Sequence, residues 1–248
     1  MTPSDAVALV TGAAQRLGAA TAEHLHTRGL RVIIHCRSHG AEADALAAKL
    51  NLQRPDSATV MQADLTEPDA INKLAINACA YWQRLDVLVN NASVFYPTPT
   101  ESASLEDWDV IMHSNLRAPF LLGQACVPAL RQSKGCIINL IDIYAERPLA
   151  DHPLYCASKA GLAMLTRSWA RDLGPDIRAN GVSPGAIMWP EQDDAVTLDY
   201  QDRIVNATSL KRTGNAQDIA SAIGYLACDA PYVTGQILAV DGGRSLNI

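Results

Sequence analysis

Short apolar runs rich in β-branched residues recur along this chain, and a longer stretch of helical periodicity follows most of them. We read strands at Ala6–Val10, Arg31–His35, Thr59–Ala63, Val87–Val89, Cys136–Ile141, Ile177–Val182 and Ile237–Val240. Helical patterns cover about residues 16–29, 40–52, 67–84, 105–132, 153–173 and 216–228. The fifth ends on Leu173-Gly174-Pro175, a helix stop signal. Strands that alternate with helices build βαβ units and a parallel sheet. The runs are nearly all apolar rather than alternating, which fits a sheet covered on both faces. The fold class expected is α/β: a doubly wound Rossmann fold with a seven-stranded, mainly parallel sheet and helices on both faces, in one domain spanning 1–248. The least regular stretch is 184–208. A long irregular segment in a compact domain is often a lid over a site, and a plain surface loop is the alternative.

Composition narrows the function classes. Hydrophobic residues make up 48% and charged residues 19%, as in ordinary globular proteins. The net charge of −6 recruits neither nucleic acid nor an anionic membrane surface. No segment approaches the ~20 apolar residues of a membrane span, and the first residues lack the basic and apolar regions of a secretory signal. A cytoplasmic protein is the expectation. The six cysteines, at 36, 79, 126, 136, 156 and 228, form no C-x-x-C pair and no zinc spacing. They read as reduced core thiols, and no metal site is expected.

The first strand runs into Thr11-Gly12-Ala13-Ala14-Gln15-Arg16-Leu17-Gly18, which opens a helix. A glycine-rich turn in that place lets backbone N–H groups approach a pyrophosphate, whose charge the helix N-terminus favours. Two glycines six apart are a weak signal alone, but the strand–turn–helix placement strengthens it. The second strand tests which nucleotide is bound. An acidic residue at its end would hold a ribose 2′-hydroxyl, and a basic one suits a 2′-phosphate. Here it ends His35-Cys36-Arg37-Ser38, with no acid. Arg37 offers a donor fork for phosphate and Ser38 a hydroxyl, so NADP(H) is expected over NAD(H).

Further short motifs follow in order. They are Asp64-Leu65, Asn90-Asn91-Ala92, Asn115, Tyr155-x-x-x-Lys159, Pro184-Gly185, and Tyr232-Val233-Thr234-Gly235 with Asp241-Gly242-Gly243. Together with the glycine turn they resemble the short-chain dehydrogenase/reductase family over essentially the whole chain. Two departures are similar to its pteridine reductase branch: Arg16 stands where the usual turn has glycine, and Asp142 replaces the usual catalytic serine. The stretch Asn91-Ala92-Ser93-Val94-Phe95-Tyr96-Pro97-Thr98-Pro99 resembles that branch too, as does His35 with Arg37-Ser38, one residue shorter here.

The resemblance implies an NADPH-dependent reductase of pterins that assembles as a homotetramer. It implies a cofactor site built from Gly12, Arg16, Leu17, Gly18, His35, Arg37 and Ser38, with Asp64, Leu65, Asn91, Ala92 and Ser93. Tyr155, Lys159, Pro184 and Gly185 complete it. Lys159 would hold the nicotinamide ribose, and Asn115 would support a proton relay. A carbonyl reductase of the same fold and a non-catalytic NADP(H)-sensing module are the alternatives.

The residues themselves fit reduction. Tyr155 and Lys159 are i and i+4, on one helix face. A free tyrosine titrates near 10, and a nearby ammonium favours the phenolate, so Lys159 is expected to lower the Tyr155 pKa. Asp142 ends the strand Ile137-Ile138-Asn139-Leu140-Ile141. There it is a neutral acid of raised pKa, an anion that binds a protonated nitrogen-rich ring, or merely a cap on a turn. Phe95 either stacks on a flat heterocycle, as the resemblance implies, or folds as an apolar residue under its loop. Arg16 and Ser93 would reach both cofactor and substrate, and Trp189 either closes over the site or is a packing anchor of its loop. None of the six histidines has a compelling catalytic partner.

Overall fold

The computed structural model describes residues 5–187 and 197–247. Seven strands form one sheet in the order β3-β2-β1-β4-β5-β6-β7, and every neighbouring pair is parallel. They are β1 Val7–Val10, β2 Arg31–Cys36, β3 Ala58–Gln62, β4 Val87–Asn90, β5 Cys136–Leu140, β6 Arg178–Pro184 and β7 Ile237–Val240. The helices are α1 Arg16–Thr27, α2 Gly40–Gln53, α3 Pro68–Tyr81, α4 Leu105–Met112, α5 Ala118–Ser133, α6 Pro153–Asp172, α7 Leu198–Ala207 and α8 Ala216–Gly224.

Side chains alternate across each strand, and the two faces feed two cores. Ala8 and Val10 of β1, with Val32 and Ile34 of β2, pack against Leu25 of α1, Leu46 of α2 and Ile223 of α8. Val7, Leu9 and Ile33 point the other way, to Leu74 of α3, Leu122 and Leu130 of α5 and Trp169 of α6. This double coverage is why most strand positions are apolar on both faces, with polar exceptions such as Asn90, Asn139 and Asn180. Each fully buried leucine or isoleucine contributes about 2 kcal/mol to keeping the layers together. Proline opens α3 and α6, where its missing N–H costs nothing. Capping boxes start α4 (Ser104 with Asp107) and α8 (Asn215 with Asp218).

Two differences from the sequence reading bear on function. The stretch read as one helix over 105–132 contains a π-helical turn at His113–Arg117, between α4 and α5. The stretch 184–208 is not irregular throughout: Pro184 closes β6, and α7 occupies Leu198–Ala207. The sheet order reverses between β1 and β4, so the crevice for a ligand lies beyond the C-terminal ends of these strands. No helix among the described residues is long and apolar enough to cross a membrane.

Candidate active site

The glycine turn after β1 is held from below. Thr11 Oγ1 accepts the backbone N–H groups of Asn91 and Ala92 at 2.9 and 3.0 Å. Asn91 returns its amide to the carbonyls of Thr11 and Gly12, at 2.8 and 3.0 Å. Gly12 has φ 61°, which favours glycine. A Cβ on Gly18 would lie 2.2 Å from the Gly12 carbonyl oxygen, so no larger residue fits without opening the turn. Arg16, where the wider family has glycine, sits at φ 53° and is exposed toward the crevice. The α1 N-terminus carries no side-chain cap and no acid in its first turn. Its positive dipole end is therefore left to an outside anion, and the cradle fits a dinucleotide pyrophosphate.

His35 belongs to this support rather than to a ligand surface. It is buried, Nδ1 accepts the Gly12 N–H at 3.1 Å, and Nε2 faces the Ala63 carbonyl at 3.1 Å. These partners fix the neutral ring with its proton on Nε2. Burial lowers its pKa to about 4. Arg37 and Ser38 lie exposed at the tip of β2, and Ser38 Oγ is 3.3 Å from Nδ1 of His39. His39, just before α2, stands with them and was not singled out from the sequence. Asp64 accepts the backbone N–H and the hydroxyl of Thr66, both at 2.8 Å, and these bonds and nearby Arg37 lower its pKa. Leu65 is buried beside it.

The reactive cluster forms at the end of β5. Tyr155 Oη donates to Asp142 Oδ2 at 2.8 Å, while Asp142 Oδ1 accepts the Tyr144 N–H at 3.0 Å. Asp142 is thus both the cap of the short helical turn Ile143–Ala145 and a partner of the tyrosine. Its pKa is raised by burial, against those two hydrogen bonds and the charges of Lys159 and Arg244. Lys159 is buried; its Nζ donates to the Leu140 carbonyl at 2.9 Å and lies 5.6 Å from the Tyr155 ring centre. Burial lowers the Lys159 pKa to about 8. The expectation that Lys159 lowers the Tyr155 pKa is overturned. Burial and the Asp142 carboxylate push the phenol well above its ordinary value. Burial and the carboxylate at hydrogen-bond distance together outweigh an ammonium beyond the ring.

Asn115 stands behind the cluster on the π-helical turn, fully buried. Its Oδ1 accepts the Val94 N–H at 2.8 Å and the Ser93 hydroxyl at 3.1 Å, and its Nδ2 donates to the Val94 carbonyl at 2.9 Å and to Ser158 Oγ at 3.2 Å. It anchors the loop after β4 to α6. A π-turn is a frequent device for turning one side chain out of helical register at a functional site.

Arg16, Leu17, Asn91 and Ser93 from the nucleotide side meet Asp142, Tyr155, Lys159, Pro184 and Gly185 around one cleft of about 190 Å³. Gly12 and Gly18 belong to the adjoining glycine turn, and Ala92 packs against Gly12. Phe95 is half exposed, with its ring edge-on to the lining residue Tyr155 at 4.8 Å. Its face lies on His152 at 4.6 Å and 14°. No histidine was assigned a catalytic partner from the sequence; the fold stacks His152 on Phe95. Trp189 lies outside the described residues.

Comparison with known proteins agrees with this geometry. The family described as "Enoyl-(Acyl carrier protein) reductase" matches residues 12–245. Pteridine reductase 1 of Leishmania tarentolae is 35% identical, over 98% of each chain. Dihydromonapterin reductase of Enterobacter sp. (strain 638) is 32% identical, over 96% of each. The 3-oxoacyl-acyl-carrier-protein reductase FabG of Staphylococcus aureus (strain N315) is also 32% identical, over 95% of this chain and 96% of its own. A blue fluorescent protein from a metagenomic library, solved in complex with NADPH, superposes with a TM-score of 0.89 at 36% identity, covering 96% of this chain and 97% of its own. With its parallel seven-stranded sheet, its glycine turn and its Tyr155–Lys159 pair, the chain belongs to the short-chain dehydrogenase/reductase family.

Proposed function

We propose that this chain is an NADPH-dependent reductase of pterins, converting a dihydropterin such as dihydrobiopterin or dihydromonapterin to its tetrahydro form, with dihydrofolate as a further candidate substrate. The observation that carries this reading is the 2.8 Å hydrogen bond between Tyr155 and Asp142. A carbonyl reductase needs only a neutral donor beside its tyrosine. A carboxylate there can pair with the N–H groups or the protonated nitrogen of a heterocycle.

Bound NADPH would supply hydride chemistry toward the carbon of a ring C=N bond. The ring nitrogen must then gain a proton. Tyr155 enters the reaction with its proton on, because burial and Asp142 favour the phenol. A substrate that takes over the Asp142 carboxylate releases this hold on Tyr155, leaving the phenol beside Lys159 as the proton donor. Arg16 and Ser93 line the cleft on the nucleotide side, and Phe95 offers a ring face once it separates from His152. Arg37 and Ser38 suit the 2′-phosphate of NADPH. A cytoplasmic homotetramer belongs to the same reading.

NADPH consumption measured with dihydrobiopterin, dihydromonapterin, dihydrofolate and simple ketones tests it. Turnover of pterins is expected. Turnover of ketones alone would move the assignment to the carbonyl reductases, and tight NADPH binding without turnover would make the chain a sensing module.

A further inference from the structure

Arg244 is a buried cation in an unusual setting. It opens the short helical turn Arg244–Leu246 near the end of the chain and is 8% exposed. Among the described residues, none of the ion pairs involves it. Its guanidinium Nη2 donates to Tyr144 Oη at 3.1 Å, and Nη1 donates to the Ile204 carbonyl of α7 at 3.4 Å. Burying a guanidinium whose partners among the described residues are a hydroxyl and a carbonyl is costly, so its placement calls for a compensating role.

Tyr144 connects Arg244 to the reactive cluster. Its backbone N–H donates to Asp142 Oδ1 at 3.0 Å, and Asp142 Oδ2 accepts the Tyr155 hydroxyl. One residue therefore separates the buried guanidinium's anchor from the carboxylate, although the two segments are 100 positions apart in the chain. The titratable groups that face Asp142 are Tyr144, Tyr155, Lys159 and Arg244. Of these, the two cations favour its ionised form against burial.

We propose that Arg244 is a positioning residue: through Tyr144 it fixes the turn that aims Asp142 at Tyr155, and its charge favours the ionised form of that carboxylate. The consequence for specificity rests on the pterin reading above. An ionised Asp142 selects a ring that presents N–H groups or a protonated nitrogen, and it disfavours a neutral ketone.

The test follows the Asp142 carboxyl directly by carbon-13 NMR in the NADPH-bound enzyme labelled at aspartate, with Asp142→Asn assigning the signal. Wild type is compared with Arg244→Met, Arg244→Lys and Tyr144→Phe. In Arg244→Met the Asp142 midpoint should rise by about one pH unit, a tenfold change in proton affinity. Arg244→Lys keeps the charge and should recover much of that shift, and Tyr144→Phe, which loses the tether alone, should give a smaller one. The acidic limb of the pH profile of kcat/KM for dihydropterin should move in the same direction. A midpoint unchanged in Arg244→Met overturns the proposal. If that variant fails to fold, a Tyr144→Phe midpoint equal to wild type overturns it instead. A moved midpoint in an enzyme that turns over no pterin supports the role of Arg244 and faults the pterin reading alone.

Discussion

Acidification should release the glycine turn through one buried ring, His35. Its Nδ1 accepts the Gly12 N–H and its Nε2 faces the Ala63 carbonyl, so a protonated ring would present a second donor to an N–H group. Burial accordingly lowers the pKa from 6.5 to about 4. The unfolded chain binds this proton near pH 6.5, and the folded chain only near pH 4. Stability from His35 is therefore complete above pH 6.5, is lost as pH falls toward 4, and changes no further below that. Over this window the loss amounts to about 3 kcal/mol, with a slope of up to about 1.4 kcal/mol per pH unit. Other groups also titrate here, including His24 and His26, whose pKa values burial lowers as well. A variant isolates the effect. In His35→Gln the amide oxygen can accept from Gly12 and the amide nitrogen can donate to Ala63, without titrating. Urea denaturation at several pH values between 4.5 and 7.5 should show a shallower acid slope in the variant, by close to one proton. Equal slopes in the two proteins would refute the reasoning and place the acid sensitivity elsewhere.

Three substitutions probe the remaining parts of the site. Gly18→Ala would drive its Cβ to 2.2 Å from the Gly12 carbonyl and 2.8 Å from Ala13 Cα, both backbone, so the turn must open. NADPH affinity should fall at least about tenfold and stability by about 1–3 kcal/mol, and binding at wild-type strength would show that the turn yields freely. Arg37→Ala should weaken NADPH about tenfold in a binding titration and leave NADH nearly unchanged, and equal losses would remove Arg37 from the phosphate site. Phe95→Ala removes a half-exposed ring, so the melting temperature should hardly change. KM for dihydropterin should rise about fivefold, corresponding to about 1 kcal/mol of stacking, and an unchanged KM would show that the ring only covers Tyr155.

Much of the fold was legible because a sheet buried on both faces writes itself as apolar runs. The strand expected at Cys136–Ile141 ends within one residue of β5, and the order of the helices followed. Helix α7 is amphipathic but short, and was hidden because it lies deep in a stretch that opens with Pro184-Gly185. The π-turn at His113–Arg117 left no mark either, since the sequence around it keeps helical character on both sides. At the site, residues near one another in sequence were foreseeable, as with Tyr155 and Lys159 on one helix face. Contacts between distant segments were not. His35 supports Gly12 and Ala63 across 23 and 28 positions, His152 stacks on Phe95 from another loop, and Arg244 reaches Tyr144 from the end of the chain. The Tyr155 pKa was misjudged for the same reason. Spacing shows that Lys159 shares its face, but not how deeply the phenol is buried or that Asp142 stands closer.

The central claim is that the carboxylate at the end of β5 makes this enzyme a reductase of a nitrogen heterocycle. Its most direct test compares wild type with Asp142→Ser, measuring NADPH binding and dihydropterin turnover on the same preparations. NADPH binding should stay within about twofold, because the residues under the pyrophosphate turn are untouched, while kcat/KM for dihydropterin should fall by about a hundredfold or more. Pterin turnover undiminished in Asp142→Ser would show that Asp142 only caps the turn at Ile143–Ala145, and would contradict the account.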